Sequence, residues 1–129
     1  MSAKKILVVD DNESILAILK LWLVGAGYAP ETTPHPTKAI RMAHEGDYDL
    51  IILDVMMEEM NGIEVLERLR ADERTANVPV MMITALSFQR HFSAETIEMF
   101  DDILAKPFHK EELLGRVEQA LMARRTIAK

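Results

Sequence analysis

Asp10 and Asp11 close the apolar run Ile6-Leu7-Val8-Val9, and Asp54 closes Leu50-Ile51-Ile52-Leu53. Thr84 closes Val80-Met81-Met82-Ile83, and Lys106 follows Ile103-Leu104-Ala105. These are residue types that can move a phosphoryl group. A carboxylate attacks phosphorus to give an acyl phosphate. Crowded carboxylates repel one another and raise a pKa unless a divalent cation sits among them. Mg²⁺ suits such a set because it takes oxygen ligands, keeps several waters and uses one or two carboxylates with phosphate oxygens. On this reading Asp11 and Asp54 are direct ligands and Asp10 holds a metal-bound water. Lys106 neutralises a phosphoryl oxygen as a point charge, and the Thr84 hydroxyl senses whether phosphate is present. Such a site works by positioning and charge rather than by acid-base chemistry.

Each piece alone has a plainer explanation. Asp10-Asp11 would serve as a helix cap, Thr84 as a turn residue and Lys106-Pro107 as a turn before a helix. What joins them is that each falls at the same end of a different apolar run. In an open parallel sheet the carboxyl ends of the strands line one crevice, where ligands bind.

The apolar runs are continuous rather than alternating, as in strands buried on both faces of a parallel sheet. Helical periodicities separate them. Ile15, Leu16, Ile18, Leu19, Trp22 and Leu23 follow helical spacing after Asn12 as N-cap, with Gly25 or Gly27 as the stop. A short helix spans 37–45 and ends at Gly46. A third begins near Gly62 and carries Ile63, Val65, Leu66 and Leu69. A weaker fourth is expected over 88–99, with Phe88, Phe92, Ile97 and Phe100 as apolar contacts. The last runs over about 110–124 on Leu113, Leu114, Val117, Ala120 and Leu121. Strand two has room only at 28–32. The repeated β-α order predicts a doubly wound α/β sheet with right-handed crossovers.

The chain has 129 residues, 49% hydrophobic and 28% charged, which fits one globular domain with a real core. We expect a domain over 1–124 and a loose tail over 125–129. No apolar run approaches the roughly 20 residues of a membrane span. Two lysines near the start precede only four apolar residues, too few for a signal-peptide core, so a cytoplasmic location is expected. Cysteine is absent, which excludes disulfides and thiol chemistry. A formal charge of -6 argues against direct nucleic-acid binding. Arg124, Arg125 and Lys129 read as a helix end complementing its dipole. Four scattered histidines lack ligand spacing, and nine methionines read as core and loop filler.

The ordered set of motifs resembles the receiver domain of two-component response regulators, of the chemotaxis-receiver type, from Lys4 to about Ala123. The carriers are Ile6 to Asp11, Asp54-Val55-Met56-Met57-Glu58-Glu59-Met60-Asn61-Gly62, Val78 to Ala85, and Asp101 to Phe108. The resemblance implies a flavodoxin-like sheet of five parallel strands in the order 2-1-3-4-5 with five helices. It implies that Asp54 accepts phosphate from a histidine kinase or phosphotransfer protein. Asp10, Asp11, Asp54 and the Met56 carbonyl would hold Mg²⁺, Thr84 would be the switch hydroxyl and Lys106 the phosphate-binding lysine. The Lys106-Pro107 peptide would be cis. A downstream effector would read the face of the fourth helix, fifth strand and fifth helix. The protein would be a switch that catalyses only its own phosphorylation and dephosphorylation.

The chain departs from that family in places. Glu58 stands where a proline is common, and Met99-Phe100 where many relatives have Gly-Ala, so the end of helix four must pack differently. Ile103 replaces the usual tyrosine or phenylalanine and cannot make the ring swing that accompanies threonine movement. Met56 and Leu86 are apolar at positions that, by the resemblance, govern access of hydrolytic water. One alternative is therefore a pseudo-receiver or docking module whose output does not depend on phosphate. An FMN binder would want a Ser/Thr/Gly-rich loop after strand one, where Asp10-Asp11-Asn12 stands. A haloacid-dehalogenase-type phosphatase would want aspartate where Met56 stands.

Overall fold

In the computed structural model, residues 3–85 and 92–122 are described. The elements are β1 (Lys5–Val9), α1 (Glu13–Gly25), β2 (Ala29–Thr33), α2 (Pro36–Glu45) and β3 (Leu50–Asp54). They continue with α3 (Gly62–Ala71), β4 (Val80–Ala85), α4 (Ala94–Met99), β5 (Asp102–Lys106) and α5 (Lys110–Met122). All strand pairs are parallel, and the order is β2-β1-β3-β4-β5. This is the doubly wound flavodoxin-like fold that the motifs imply.

Alternation along the buried strands sorts the core into two halves. Ile6, Val8, Leu50, Ile52, Met81, Ile83 and Leu104 meet α1 and α5 through Leu16, Leu19, Leu23, Leu113 and Val117. Leu7, Val9, Ile51, Leu53, Val80 and Met82 meet α2 and α3 through Ala39, Ala43, Val65, Leu66 and Leu69. Each fully buried aliphatic side chain contributes about 1.5–3 kcal/mol, and most of the large ones among the described residues sit on the central strands β1, β3 and β4.

Helix boundaries follow their caps. Asn12 accepts the Ile15 N–H, and Asn61 accepts the Glu64 N–H. Pro36 takes the first position of α2, where its missing N–H costs nothing. Gly27 adopts φ +93° just past α1, a conformation that favours glycine.

Several expectations need correction. Ile18 is 44% exposed and Ile97 51%, so neither belongs to the core despite helical spacing. Strand two lies at Ala29–Thr33, one residue later than expected, and pairs only with β1. Within the described residues α4 begins at Ala94, capped by the Ser93 hydroxyl accepting the Thr96 N–H. Phe88, Leu86, His91 and the tail with Arg124, Arg125 and Lys129 lie outside the described residues.

The end of α4 does pack in its own way. Phe100 meets Phe92 edge-on at 5.7 Å between ring centres. The Arg70 guanidinium of α3 donates to the carbonyls of Met99 (2.8 Å), Thr75, Ala76 and Val78 and pairs with Asp101. One partly buried arginine thereby fastens the ends of α3 and α4 to the start of β5.

Candidate phosphoryl and metal site

The parallel register brings the predicted residues to one edge. Val9 pairs with Leu53, Asp54 with Ile83, and Ile83 with Leu104. Asp10, Asp54, Thr84 and Lys106 therefore leave their strands at nearly the same level. Asp10 and Asp54 are 1% and 3% exposed, whereas Asp11 stands open at the surface. The three carboxylates each place an oxygen within 4.8 Å of the other two.

Lys106 reaches across this edge. Its Nζ lies 3.1 Å from Asp10 Oδ2 and 3.3 Å from Asp54 Oδ1. The other Asp10 oxygen accepts the Asn12 N–H at 2.9 Å, which fixes that carboxylate from behind. The ammonium is thus an internal counter-ion for two buried acids. Asp54 nonetheless has its pKa pushed up to about 6. Burial is the main cause and the Asp10 charge the second, while Lys106 and the Met56 N–H pull the other way.

The donor set fits a hard divalent cation. Mg²⁺–oxygen bonds of about 2.1 Å in an octahedron put neighbouring ligands about 3 Å apart and opposite ones about 4.2 Å apart. Carboxylate oxygens already within 4.8 Å of one another need little movement to reach those separations. A cation there would share Asp10 and Asp54 with the Lys106 ammonium, and the two positive charges would repel each other across the site.

Thr84 is buried at 1% exposure beside the Asp54 strand, and its hydroxyl donates to the Ala85 carbonyl at 3.2 Å. Met56, 52% exposed, follows Asp54 in the loop and turns its N–H onto the Asp54 carboxylate. The Lys106–Pro107 peptide is cis.

Two contributions were not apparent from the motifs. The Glu58 N–H donates to Asp11 Oδ2 at 3.1 Å, a bond that proline at this position could not make. The substitution noted in the loop therefore tethers a carboxylate of the site. Gly62 packs directly under Asp54, since a Cβ there would lie 2.1 Å from the Asp54 carbonyl oxygen. The Asn61-Gly62 pair was the available signal, but it spoke for a helix start and not for this contact.

Comparison with known proteins agrees with this geometry. Residues 6–118 match the model of the response regulator receiver domain. The chain is 39% identical over 117 residues to the DNA-binding dual master transcriptional regulator RpaA of Synechocystis, covering 91% of this chain and 48% of that protein. It is 39% identical over 127 residues to the alkaline phosphatase synthesis transcriptional regulatory protein PhoP of Bacillus subtilis, covering 97% and 51%. The chain spans about half the length of these curated relatives. The response regulator TrrA of Thermotoga maritima, solved in complex with Mg²⁺-BeF, superposes with a TM-score of 0.81 at 29% identity, covering 91% of this chain and 98% of that one. The sheet order, the acidic edge with its lysine, and these similarities place the chain in the response regulator receiver domain family.

Proposed function

We propose that this domain, spanning about 1–124, is a phosphorylation-operated switch in which Asp54 accepts a phosphoryl group from a phosphohistidine. The observation that carries the reading is the Asp10–Asp11–Asp54 cluster bridged by Lys106 at the carboxyl edge of the sheet. An Asp54 oxygen attacks phosphorus, the P–N bond breaks, and the imidazole leaves with its electron pair. Asp10, Asp11, Asp54 and the Met56 carbonyl would hold Mg²⁺, which supplies neutralising charge between the acids and the incoming phosphoryl oxygens. Lys106 leaves the carboxylates and pairs with a phosphoryl oxygen. The Thr84 hydroxyl exchanges its bond to the Ala85 carbonyl for another phosphoryl oxygen, and this change begins the signal.

The donor in this reading is a histidine kinase or phosphotransfer protein, and the output goes to an effector through the α4–β5–α5 face. Self-phosphorylation and self-dephosphorylation are its only chemistry. Among the described residues no helix is long and apolar enough to cross a membrane, which is compatible with cytoplasmic signalling. The named relatives are transcriptional regulators about twice as long, so DNA contact would belong to segments outside this acidic domain. The 125–129 segment would be a tail without a role in the site.

Acetyl phosphate with Mg²⁺ should add one phosphoryl group to the wild type by intact mass and none to Asp54→Asn, and excess chelator should abolish the addition. Equal labelling of the Asn variant would overturn the assignment.

A further inference from the structure

The Lys106 ammonium sits on two buried carboxylates, and an aromatic contact lies two residues along the chain. The ammonium spans Asp10 and Asp54, and its backbone continues through Pro107 to Phe108. Phe108 is half-buried and meets the edge of Trp22 of α1, ring centres 6.2 Å apart at 70°. Both rings rest on the core half built by α1 and α5. The corner between β5 and α5 therefore hangs between two anchors, the carboxylates at one end and the Trp22 ring at the other. Edge-to-face aromatic pairs have a directional preference, so this contact resists sliding as well as separation.

We propose that Trp22 and Phe108 are positioning residues for Lys106, holding its ammonium on Asp10 and Asp54 and registering its departure. The proposal rests on the reading of the acidic edge as a cation site. Because a cation and the Lys106 ammonium want the same two carboxylates, whatever secures Lys106 there opposes cation binding. Coupling of this kind is reciprocal: if the aromatic contact raises the cost of filling the site, filling the site must disturb the contact. The two arrangements that such coupling needs are Lys106 on its carboxylates, as in this structure, and Lys106 displaced from them by the cation. On the other flank the edge contact is Phe92 with Phe100, and Ile103 of β5 brings no ring to it.

Trp22 is the one tryptophan in the sequence, so its emission reports the contact without labelling. Mg²⁺ titrations by calorimetry should show Phe108→Leu binding roughly 3- to 10-fold more tightly than wild type, the scale of one aromatic pair. Phe108→Tyr, which keeps the ring, should stay near wild type. On a Lys106→Met background, Phe108→Leu should add nothing, because the group it positions is gone. Lys106→Met should also shift Trp22 emission in metal-free buffer, and that shift should vanish when Phe108→Leu is added. A merely structural role for Phe108 predicts unchanged or weaker Mg²⁺ binding and additive effects, and either result overturns the proposal. If wild type takes up no Mg²⁺, the metal-site reading fails, while the metal-free emission arm still decides the relay. Unchanged Trp22 emission in Lys106→Met refutes it, including in the case where Phe108→Leu does not fold.

Discussion

Replacing Asp54 by asparagine should stabilise the metal-free protein, and the gain should depend on pH in a defined way. In the folded state the Asp54 carboxyl ionises at about 6, against an ordinary value of 3.8 in the unfolded chain, because burial and Asp10 outweigh Lys106 and the Met56 N–H. The folded protein thus holds this proton more tightly than the unfolded chain does. Stability from this group is fully present below the unfolded pKa near 4 and is lost as pH rises through about 6. The separation of about two pKa units corresponds to about 3 kcal/mol at pH 8 and under 1 kcal/mol at pH 4. Asparagine carries no charge at any pH and escapes the penalty.

Thermal or urea unfolding of both proteins in excess chelator, at pH 4 and pH 8, measures the difference. At pH 8, Asp54→Asn should melt about 10 °C above wild type, given the unfolding entropy typical of a domain this size. At pH 4 the two curves should nearly coincide. Saturating Mg²⁺ at pH 8 should close the gap by stabilising wild type, by about 2.7 kcal/mol at a hundredfold excess over Kd. Equal stabilities at pH 8, or a gap that persists at pH 4, would show that Asp54 is not held in an unfavourable charged state.

Other residues give sharper local tests. Gly62→Ala should cost about 3 kcal/mol and impair phosphorylation, because the new Cβ meets backbone atoms of Asp54 and Val55 that cannot swing aside; calorimetric melting and acetyl phosphate labelling read both effects. Gly115→Ala, on α5 with nothing within 4 Å of the added carbon, should raise stability by about 1 kcal/mol and leave labelling unchanged. Thr84→Ala should still be phosphorylated, yet beryllofluoride with Mg²⁺ should produce much smaller amide shifts from β4 to α4 than in wild type. Ile103→Tyr should enlarge that same response, and a response identical to wild type would mean that an aromatic at 103 is not what the switch lacks.

Much of this was legible in the sequence for physical reasons. A strand buried on both faces needs a continuous apolar run, so β1, β3 and β4 announced themselves, and the residues ending each run had to share one edge. β2 was harder because it is an edge strand. It contains Pro30 and Glu31, has one neighbour, and is mostly half-exposed, so no two-sided apolar pattern marks it. Ile18 and Ile97 misled because helical spacing tells which residues share a face, not which face meets the core. The Glu58 N–H bond to Asp11 spans 47 residues, and the Gly62 contact is backbone on backbone. Neither involves a side-chain pattern that composition or periodicity carries.

The same distinction bears on the departures at 58, 99, 100 and 103. Judged by side chain alone, Glu58 adds charge to an acidic edge, and Met99-Phe100 crowds the end of a helix. In place, Glu58 contributes an N–H that holds Asp11. Phe100 takes up an edge contact with Phe92, while Arg70 secures the Met99 carbonyl and the 75–78 turn. The C-terminal end of α4 is consequently fastened to α3 by charge-assisted bonds, and Ile103 beside it offers no ring to reorient. A reversal of a two-state balance from 1:99 to 99:1 takes about 5.5 kcal/mol of differential stabilisation. The cost of breaking the partly buried Arg70 bonds would oppose such a change at that end. The α1–α5 side is fastened as well: the Arg116 guanidinium of α5 donates to Asp102 at 2.7 Å and to the Ile103 carbonyl, while Lys106 at the far end of β5 is held by Asp10 and Asp54. Both ends of β5 thus carry charge-assisted bonds, and a change of state there has to exchange them for others rather than simply break them.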